Sequence, residues 1–205
     1  KNYFKIGWRN ILRQKMPSFI NITGLSCAIG CCLVAFMFIE PRVIRDQFHE
    51  NGTNIYLVAH ESFIEGTLGE NGTFNAALAE ALPDEFPQIK RRTRMKGAPS
   101  VFRIKDNIFS SYVNYVDPDF LNSFSFPMVY GSKDVLKDPS KVVIDQSAAI
   151  RFFGDEHPID KLIKVIYGEE EMTFAVGGVI EDAPNNSSLR PGFLLSYEVL
   201  ESRGQ

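Results

Sequence analysis

Cys27, Cys31 and Cys32 are the only thiols in the chain, and all lie in the stretch "GLSCAIGCCLVAFMFIEP" from Gly24 to Pro41. Residues of this type and spacing could hold a metal, form a redox pair or carry a lipid. Each use has a requirement that the surroundings do not meet. Thiolate metal ligands need further thiolate or imidazole partners. His49, His60 and His157 are far along the chain, and no charge occurs from Phe19 to Ile39. A lipid-bearing cysteine follows its apolar stretch, whereas Cys27 stands near the start of this one. The body after residue 32 has no cysteine and so no disulfide framework. The three thiols read as small, soft apolar side chains.

The other reactive side chains form no catalytic set. There is no G-x-x-x-x-G-K-[ST] phosphate loop, no G-x-S-x-G and no H-E-x-x-H. The acids of "GEEE" (168–171) suit a solvated hairpin turn. Asn51, Asn71, Asn185 and Asn186 open Asn-x-Ser/Thr sites, which matter only in a eukaryotic secretory setting. Lys90, Arg91, Arg92, Arg94 and Lys96 are the one basic cluster of the body. In a strand, Lys90, Arg92, Arg94 and Lys96 would share a face. That face reads as the solvated side of an edge strand, or else as a contact for anionic lipid or an acidic partner; nucleic acid is not an expected partner. No residue is assigned as catalytic, cofactor-binding or metal-binding, and the chain is not expected to be an enzyme.

The charges divide the chain in three. Residues 1–18 carry Lys1, Lys5, Arg9, Arg13 and Lys15 and no acid; 19–39 carry no charge; the rest is acidic. A bilayer core of about 30 Å needs about 20 helical residues, so Phe19–Ile39 is long enough to span one. Residues 19–40 are expected to be the transmembrane helix. The basic flank predicts a cytoplasmic N-terminus and an extracytoplasmic body. A cleaved signal fits poorly: the basic region is long and holds Tyr3, Phe4 and Trp8, and "FMFIEP" offers no small pair for a peptidase. Gly24, Ala28 and Cys32 recur every four residues, as do Cys27, Cys31 and Ala35. These two rows adjoin on a helix and make a small-residue face that lets another helix approach. Lys5, Arg9 and Arg13 line one arc of residues 1–18, beside Phe4, Trp8 and Ile11. This predicts an interfacial helix on anionic lipid, broken by Pro17.

The body, 41–205, mixes hairpins with helices, so the fold class is α+β. "NIYLVAH" reads as a strand and "GTLGENGT" as a loop. "TFNAALAEALPDEF" has helical spacing and should end near Pro83–Pro87. The region 88–116 reads as long strands with a "KDN" turn, and "KVVIDQSAAIRFFG" as a strand and a helix closed by Gly154. Residues 161–184 read as a hairpin turning at "GEEE", and "LLSYEVL" begins another element.

The opening "NYFKIGWRNILRQKMPSFINITGLSCAIG", the exit "DQFHENGTNIYLV", and the central "VDPDFLNSFSFPMVYGS" and "KVVIDQSAAIRFFG" together resemble FtsX-like and MacB-like ABC transporter permeases. "FAVGGVIEDAPNNSSLRPGFLLSYEVL" is similar to the return strand of their periplasmic core domain, where Gly178-Val179 leads to a turn at Pro184, Asn186 and Ser187. The matching segments run the length of the chain in the family's order. Departures are "EPRVIRD" before the Phe-His pair, Ser188 where His is usual, and Pro191-Gly192 where an aromatic and an acid are usual. The resemblance implies a porter-like βαβ platform (about 52–105 and 172–190) with an inserted lobe, incomplete at the C-terminus. It also implies a non-catalytic subunit that transmits the motion of a cytoplasmic ABC ATPase, with ATP bound by that partner. A second permease copy or homologous half, membrane lipids and a periplasmic partner complete the expected assembly, in the bacterial inner membrane. The competing expectations are a single-pass anchored binding or sensor domain and a tethered hydrolase; the latter needs an activated nucleophile that the sequence does not supply.

Overall fold

Pro17 decides how the chain starts. It has no N–H for the carbonyl of Arg13, four residues back, and its ring crowds that carbonyl. The first helix, α1 (Asn2–Arg13), stops there, and a second, α2, runs from Lys15 to Val43. The break therefore falls at Gln14 and not at the proline, which sits in the first turn of α2. There its missing N–H leaves no bond unmade, and Ser18 N–H closes the turn on Gln14 C=O at 3.0 Å. Helix α2 has 29 residues, of which Lys15–Ile39 are long and apolar enough to cross a membrane. At 1.5 Å per residue it is about 44 Å long, so it outruns a hydrocarbon core of about 30 Å. The helix also continues through Glu40 and Pro41, past its expected end.

The computed structural model describes residues 2–43, 45–64, 67–71, 76–105, 107–167 and 170–204. It divides into two compact units, Lys1–Arg45 and Asp46–Gln205. The second unit opens with a short 3₁₀ turn at Gly52–Asn54. Ile55–Ala59, expected to be a strand, takes no strand pairing, and Tyr56 and Leu57 are 81% and 84% exposed. Their composition favours a strand, but they pair with no strand among the described residues. The hairpin follows instead: β1 (His60–Ile64) pairs antiparallel with β2 (Thr67–Asn71), so most of the expected "GTLGENGT" loop is strand. Helix α3 (Ala76–Glu85) ends as expected after Pro83, with Phe86 N–H on Leu82 C=O at 2.9 Å. The start expected for this helix, 73–75, lies outside the described residues.

The main sheet is built from β3 (Met95–Ile104), β4 (Asn107–Val116), β5 (Met128–Tyr130), β6 (Lys141–Asp145), β7 (Leu162–Tyr167), β8 (Glu170–Ile180) and β9 (Phe193–Ser196). Three helices accompany it: α4 (Phe120–Ser123), α5 (Gln146–Phe153) and α6 (Tyr197–Ser202). The strand order is β5-β8-β6-β9-β4-β3-β7, and β7 also pairs with the first half of β8, so the sheet closes on itself. The β4–β9 and β6–β8 pairs are parallel and the rest antiparallel. The expected hairpin turns hold: Ile104 faces Asn107 across 105–106, and Tyr167 faces Glu170 across 168–169. Asp106, Gly168 and Glu169 themselves lie outside the described residues.

Alternation along β6 and β9 sorts the core into two clusters. Val142, Ile144, Phe193 and Leu195 point into the closed sheet with Phe102, Val113, Tyr115, Ile163 and Phe174. Val143 and Leu194 point the other way, onto Phe120, Leu121, Phe126 and Ile180. Both strands are covered on both faces, which is why they read as unbroken apolar runs. Strands on both sides of the expected platform–lobe boundaries join this one sheet.

A close crossing of glycines bends β8. Val142 and Val143 of β6 face Val176 and Gly178, so Gly177 is an extra residue, a bulge. A Cβ on Gly177 would lie 2.4 Å from Val135 Cγ2 and 2.9 Å from Lys141 Cβ. Gly131 crosses over it with φ +88°, where a Cβ would sit 2.5 Å from the Gly177 carbonyl oxygen. Helix α5 is capped at one end by Asp145, whose side chain accepts from Ala148 N–H, and ends at Gly154 with φ 59° and ψ −123°, outside the left-handed helical region and suited to glycine. Replacing Gly131 by Ala is expected to lower unfolding stability by about 2 kcal/mol or more, since both backbone strain and a backbone clash result. Chemical denaturation followed by near-ultraviolet circular dichroism measures it.

Candidate functional site

Asp46 is the first residue of the second compact unit. It takes φ 58°, a region that Asp tolerates better than most residues. That twist aims two of its groups at one turn. Its N–H donates to Asn186 C=O at 3.1 Å, and its carboxylate Oδ1 accepts from Ser188 N–H at 2.7 Å. Burial alone would raise the Asp46 pKa, but the Ser188 and Ser187 hydrogen bonds and nearby His49 outweigh it and hold the group below the usual carboxylate range. Three residues on, His49 is 5% exposed. Its Nδ1 accepts from Ser125 N–H at 3.1 Å, and Ser125 Oγ accepts from Glu50 N–H at 3.0 Å. The ring lies among Phe48, Phe124 and Phe126, with centroid distances of 4.0, 5.2 and 5.3 Å. Burial pushes the His49 pKa down, against the pull of Asp46. Four hydrogen bonds thus pin Asp46–Glu50 to two loops far away in sequence.

Both receiving loops are stiff for local reasons. In the turn after β8, Ser187 N–H bonds Pro184 C=O at 2.9 Å, and Ser187 Oγ donates to Leu189 C=O at 2.8 Å. The Arg190 guanidinium spans the carbonyls of Ala183, Pro184 and Asn185. Asn114 Nδ2 holds the outgoing carbonyls of Arg190 and Pro191 at 3.0 and 2.9 Å. Asp182, just before the turn, accepts from Ser147 N–H and Oγ–H at the start of α5. The other loop follows α4, whose Phe120 and Leu121 are fully buried.

Of the motif residues, Asn186 bonds Asp46 through its carbonyl and Ser187 hydrogen-bonds its carboxylate, while Pro184 closes the turn by accepting from Ser187 N–H. Gly178 does not belong to this contact; it stands in β8, where a Cβ would lie 2.9 Å from Met128 Cε. Asp46, His49 and Ser125 were missed as functional residues. The signal available was the Phe48-His49 pair just past the apolar span and the phenylalanine-rich "FLNSFSF".

The basic stretch is corrected. Residues 89–94 are not a strand, and β3 starts only at Met95. Arg94 is not on a solvated face. Its guanidinium binds Asp117 through Nε and Nη2, the latter at 2.7 Å, reaches Glu201 at 2.8 Å, and stacks 4.0 Å above the Tyr197 ring. Its backbone N–H also donates to Asp117 at 2.7 Å. Hydrogen bonding to Asp117 raises the Arg94 pKa, despite burial. A bidentate pair of this kind needs arginine's planar fork. Arg92 adds a longer contact to Asp117 at 3.4 Å. Only Lys90, Arg91 and Lys96 remain exposed.

Lys5, Trp8, Arg9 and Arg13 all lie in α1 and are exposed, Trp8 by 58%. Gly24, Cys27, Ala28, Cys31, Cys32 and Ala35 lie in the unbroken part of α2, so the four-residue rows share one face, and all six are exposed. Among the described residues no group of His, Cys, Asp and Glu is placed to hold a metal ion.

A family model described as the MacB-like periplasmic core domain matches residues 18–204. The chain belongs to this family. Its matched region starts at the head of the apolar span and includes both the Asp46 segment and the turn that receives it. Among solved structures, a crystallised domain of a permease protein from Porphyromonas gingivalis has a TM-score of 0.58 and 25% identity, over 69% of this chain and 61% of its own. The extracellular domain of the ABC-type transporter YknZ from Gram-positive bacteria has a TM-score of 0.52 and 15% identity, over 64% and 67%; that likeness is one of fold. The chain spans about 61% of the P. gingivalis domain. No curated protein matches it. The resemblance to MacB-like ABC transporter permeases, read from the ordered motifs, is upheld, and so is the α+β class with an N-terminal apolar helix.

Two substitutions separate the bonds of this contact. Asp46→Ala removes the acceptor for Ser188 and strains the backbone, and should cost about 1 kcal/mol after allowing for solvent screening. Asp46→Asn keeps both the acceptor and the tolerance for positive φ, and should recover most of that. Amide hydrogen exchange at Ser188 and His49 in the full chain measures both: faster in the alanine variant, near wild type in the asparagine one.

Proposed function

We propose that this chain is a non-catalytic permease component of a MacB/FtsX-type ABC transporter, and that its domain moves in response to a partner ATPase. The carrying observation is the bonding of Asp46. Helix α2 ends at Val43, and three residues later the chain is hydrogen-bonded to residues 186 and 188. Three Cα steps separate Val43 from Asp46 and reach about 11 Å at most, so a larger displacement of the helix end must reach the hydrogen-bonded segment. Family membership supports the transporter assignment, and the charge distribution supports a cytoplasmic N-terminus with the domain outside the inner membrane. On this reading ATP is bound by the cytoplasmic ATPase, not by this chain. Helix α1 rests on anionic lipid through Lys5, Arg9 and Arg13, with Trp8 at the headgroups. The small face of α2 receives a helix of a second permease copy or of another part of the permease, and a periplasmic partner takes up the movement.

The test lengthens the connection. A six-residue Gly/Ser insert between Arg45 and Asp46, in the permease reconstituted with its ATPase in nanodiscs, should leave ATP hydrolysis in place and abolish the ATP-dependent change in distance between spin labels at position 150 of two copies. Ile150 suits labelling because it is exposed on α5. An unchanged ATP-dependent distance shift would sink the transmission reading, and a permease that captures no ATPase would sink the assignment itself. Replacing Ala28 and Cys31 by Leu should lower the fraction of assembled permease in detergent, read by size-exclusion chromatography with light scattering. Unchanged assembly would return α2 to the role of a plain anchor.

A further inference from the structure

We propose that the contact made by Asp46–Glu50 is a latch that acid opens, with His49 as its sensing residue. The geometry makes the ring bistable. Because Nδ1 accepts from Ser125 N–H, its lone pair is in use and the ring proton is on Nε2. Nε2 is buried and has no hydrogen-bond partner among the described residues. A second proton could enter only at Nδ1, where it would face the Ser125 N–H, cancel the hydrogen bond and set two donors against each other. The new charge would also be enclosed by three phenylalanine rings. Opening the segment returns the imidazole to water, where protonation costs nothing.

The surrounding groups do not offset this. On the same segment, Asp46 is the charge acting on the ring, and its carboxylate is engaged by Ser188 N–H; Glu50 is exposed. The loop Ser123–Phe126 supplies no titratable side chain. Of the turn residues 184–189 none is charged, and the neighbouring Arg190 is committed to backbone carbonyls. The sign follows from burial. A histidine whose pKa is lower in the closed state binds fewer protons there than in the open state, which titrates near 6.5. The closed latch is therefore stable above about pH 6.5 and weakens as pH falls below it.

The consequence, a permease uncoupled from its helix in acid, rests on the transmission reading above. The latch itself is tested separately, so the two can fail independently. In the full chain in nanodiscs, amide exchange at Ser125, corrected for its intrinsic pH dependence, should lose protection by about tenfold per pH unit below about pH 6.5, until the ring itself is protonated in the closed state. Amides of β6 and α5 should keep theirs. The His49 Cε1–H resonance, which reports the population-weighted charge on the ring, should titrate with a midpoint below 6.5, where the Ser125 loss levels off. In His49→Asn, whose Oδ1 can take the place of Nδ1 but does not titrate, Ser125 protection should not depend on pH. Protection at Ser125 that is flat with pH in the wild type, or falls equally in His49→Asn, overturns the proposal. A Ser125 loss that levels off at a pH other than the His49 midpoint overturns it too. Should His49→Asn fail to fold, seen as lost protection in β6, the match in the wild type between the His49 midpoint and the levelling of the Ser125 loss decides alone.

Discussion

A backbone leaving a membrane helix must replace the helix's internal hydrogen bonds before it can support anything else. Here the replacement is made at once. Asp46 bonds through its N–H and its carboxylate to the 186–188 turn, and the next residues lodge a histidine in an aromatic socket. Everything downstream depends on those receiving loops being stiff. The turn after β8 is held by Arg190 and Asn114, and the socket by buried Phe120 and Leu121. The contact therefore reaches the second core cluster, since Phe48, Phe124 and Phe126 all pack with it. A strain applied at Asp46 would enter the sheet along β8 on one side and through α4 on the other.

The sheet on which this contact rests is closed. An open sheet can splay at its edges, whereas here β7 pairs with both β3 and β8 and leaves the ring without a gap. Closure needs β8 to change partners half-way. Its first half pairs with β7 and its second with β6 and β5; Ala175 pairs with both Leu162 of β7 and Lys141 of β6, and the Gly177 bulge follows two residues later. Gly131 and Gly177 are needed there for lack of room, while Gly178 adjoins the flexible end of Met128. The glycine-valine pair read from the sequence marks the right place, but its neighbour Gly177 bears the tighter constraint.

What was legible from sequence was whatever periodicity or a local turn determines. The apolar span, the β6–α5 unit with Asp145 and Gly154 at its ends, and both hairpin turns follow from patterns within ten or twenty residues. What was not legible depends on a distant partner. Ile55–Ala59 has strand composition but pairs with no strand among the described residues. Thr67–Asn71 has loop composition but becomes a strand because β1 lies beside it. Four alternating bases from Lys90 to Lys96 looked like one solvated face, yet Arg94 finds Asp117, Glu201 and Tyr197, the last two more than a hundred residues away. The motif turn was legible as a turn; that its partner is Asp46 was not, since 140 residues separate Asp46 from Asn186.

That pairing also bears on the departures from the family pattern. Ser188 stands where the family resemblance leads one to expect histidine; its backbone N–H holds Asp46 and would be kept by any residue except proline, while its side chain also hydrogen-bonds Asp46. That departure therefore spares the backbone bond. Pro191 and Gly192 likewise replace an aromatic and an acid, yet the carbonyl of Pro191 is held by Asn114, and Gly192 C=O accepts from Asp145 N–H at 3.0 Å. Gly192 takes φ 52°, where glycine is at ease. At these positions a main-chain group makes a hydrogen bond, at Ser188 to Asp46, at Pro191 to Asn114 and at Gly192 to Asp145. Where the contact does depend on side chains, at Asp46, His49 and Ser125, the chemistry is specific: a carboxylate tolerant of positive φ, a neutral ring nitrogen that accepts, and a hydroxyl that receives Glu50 N–H.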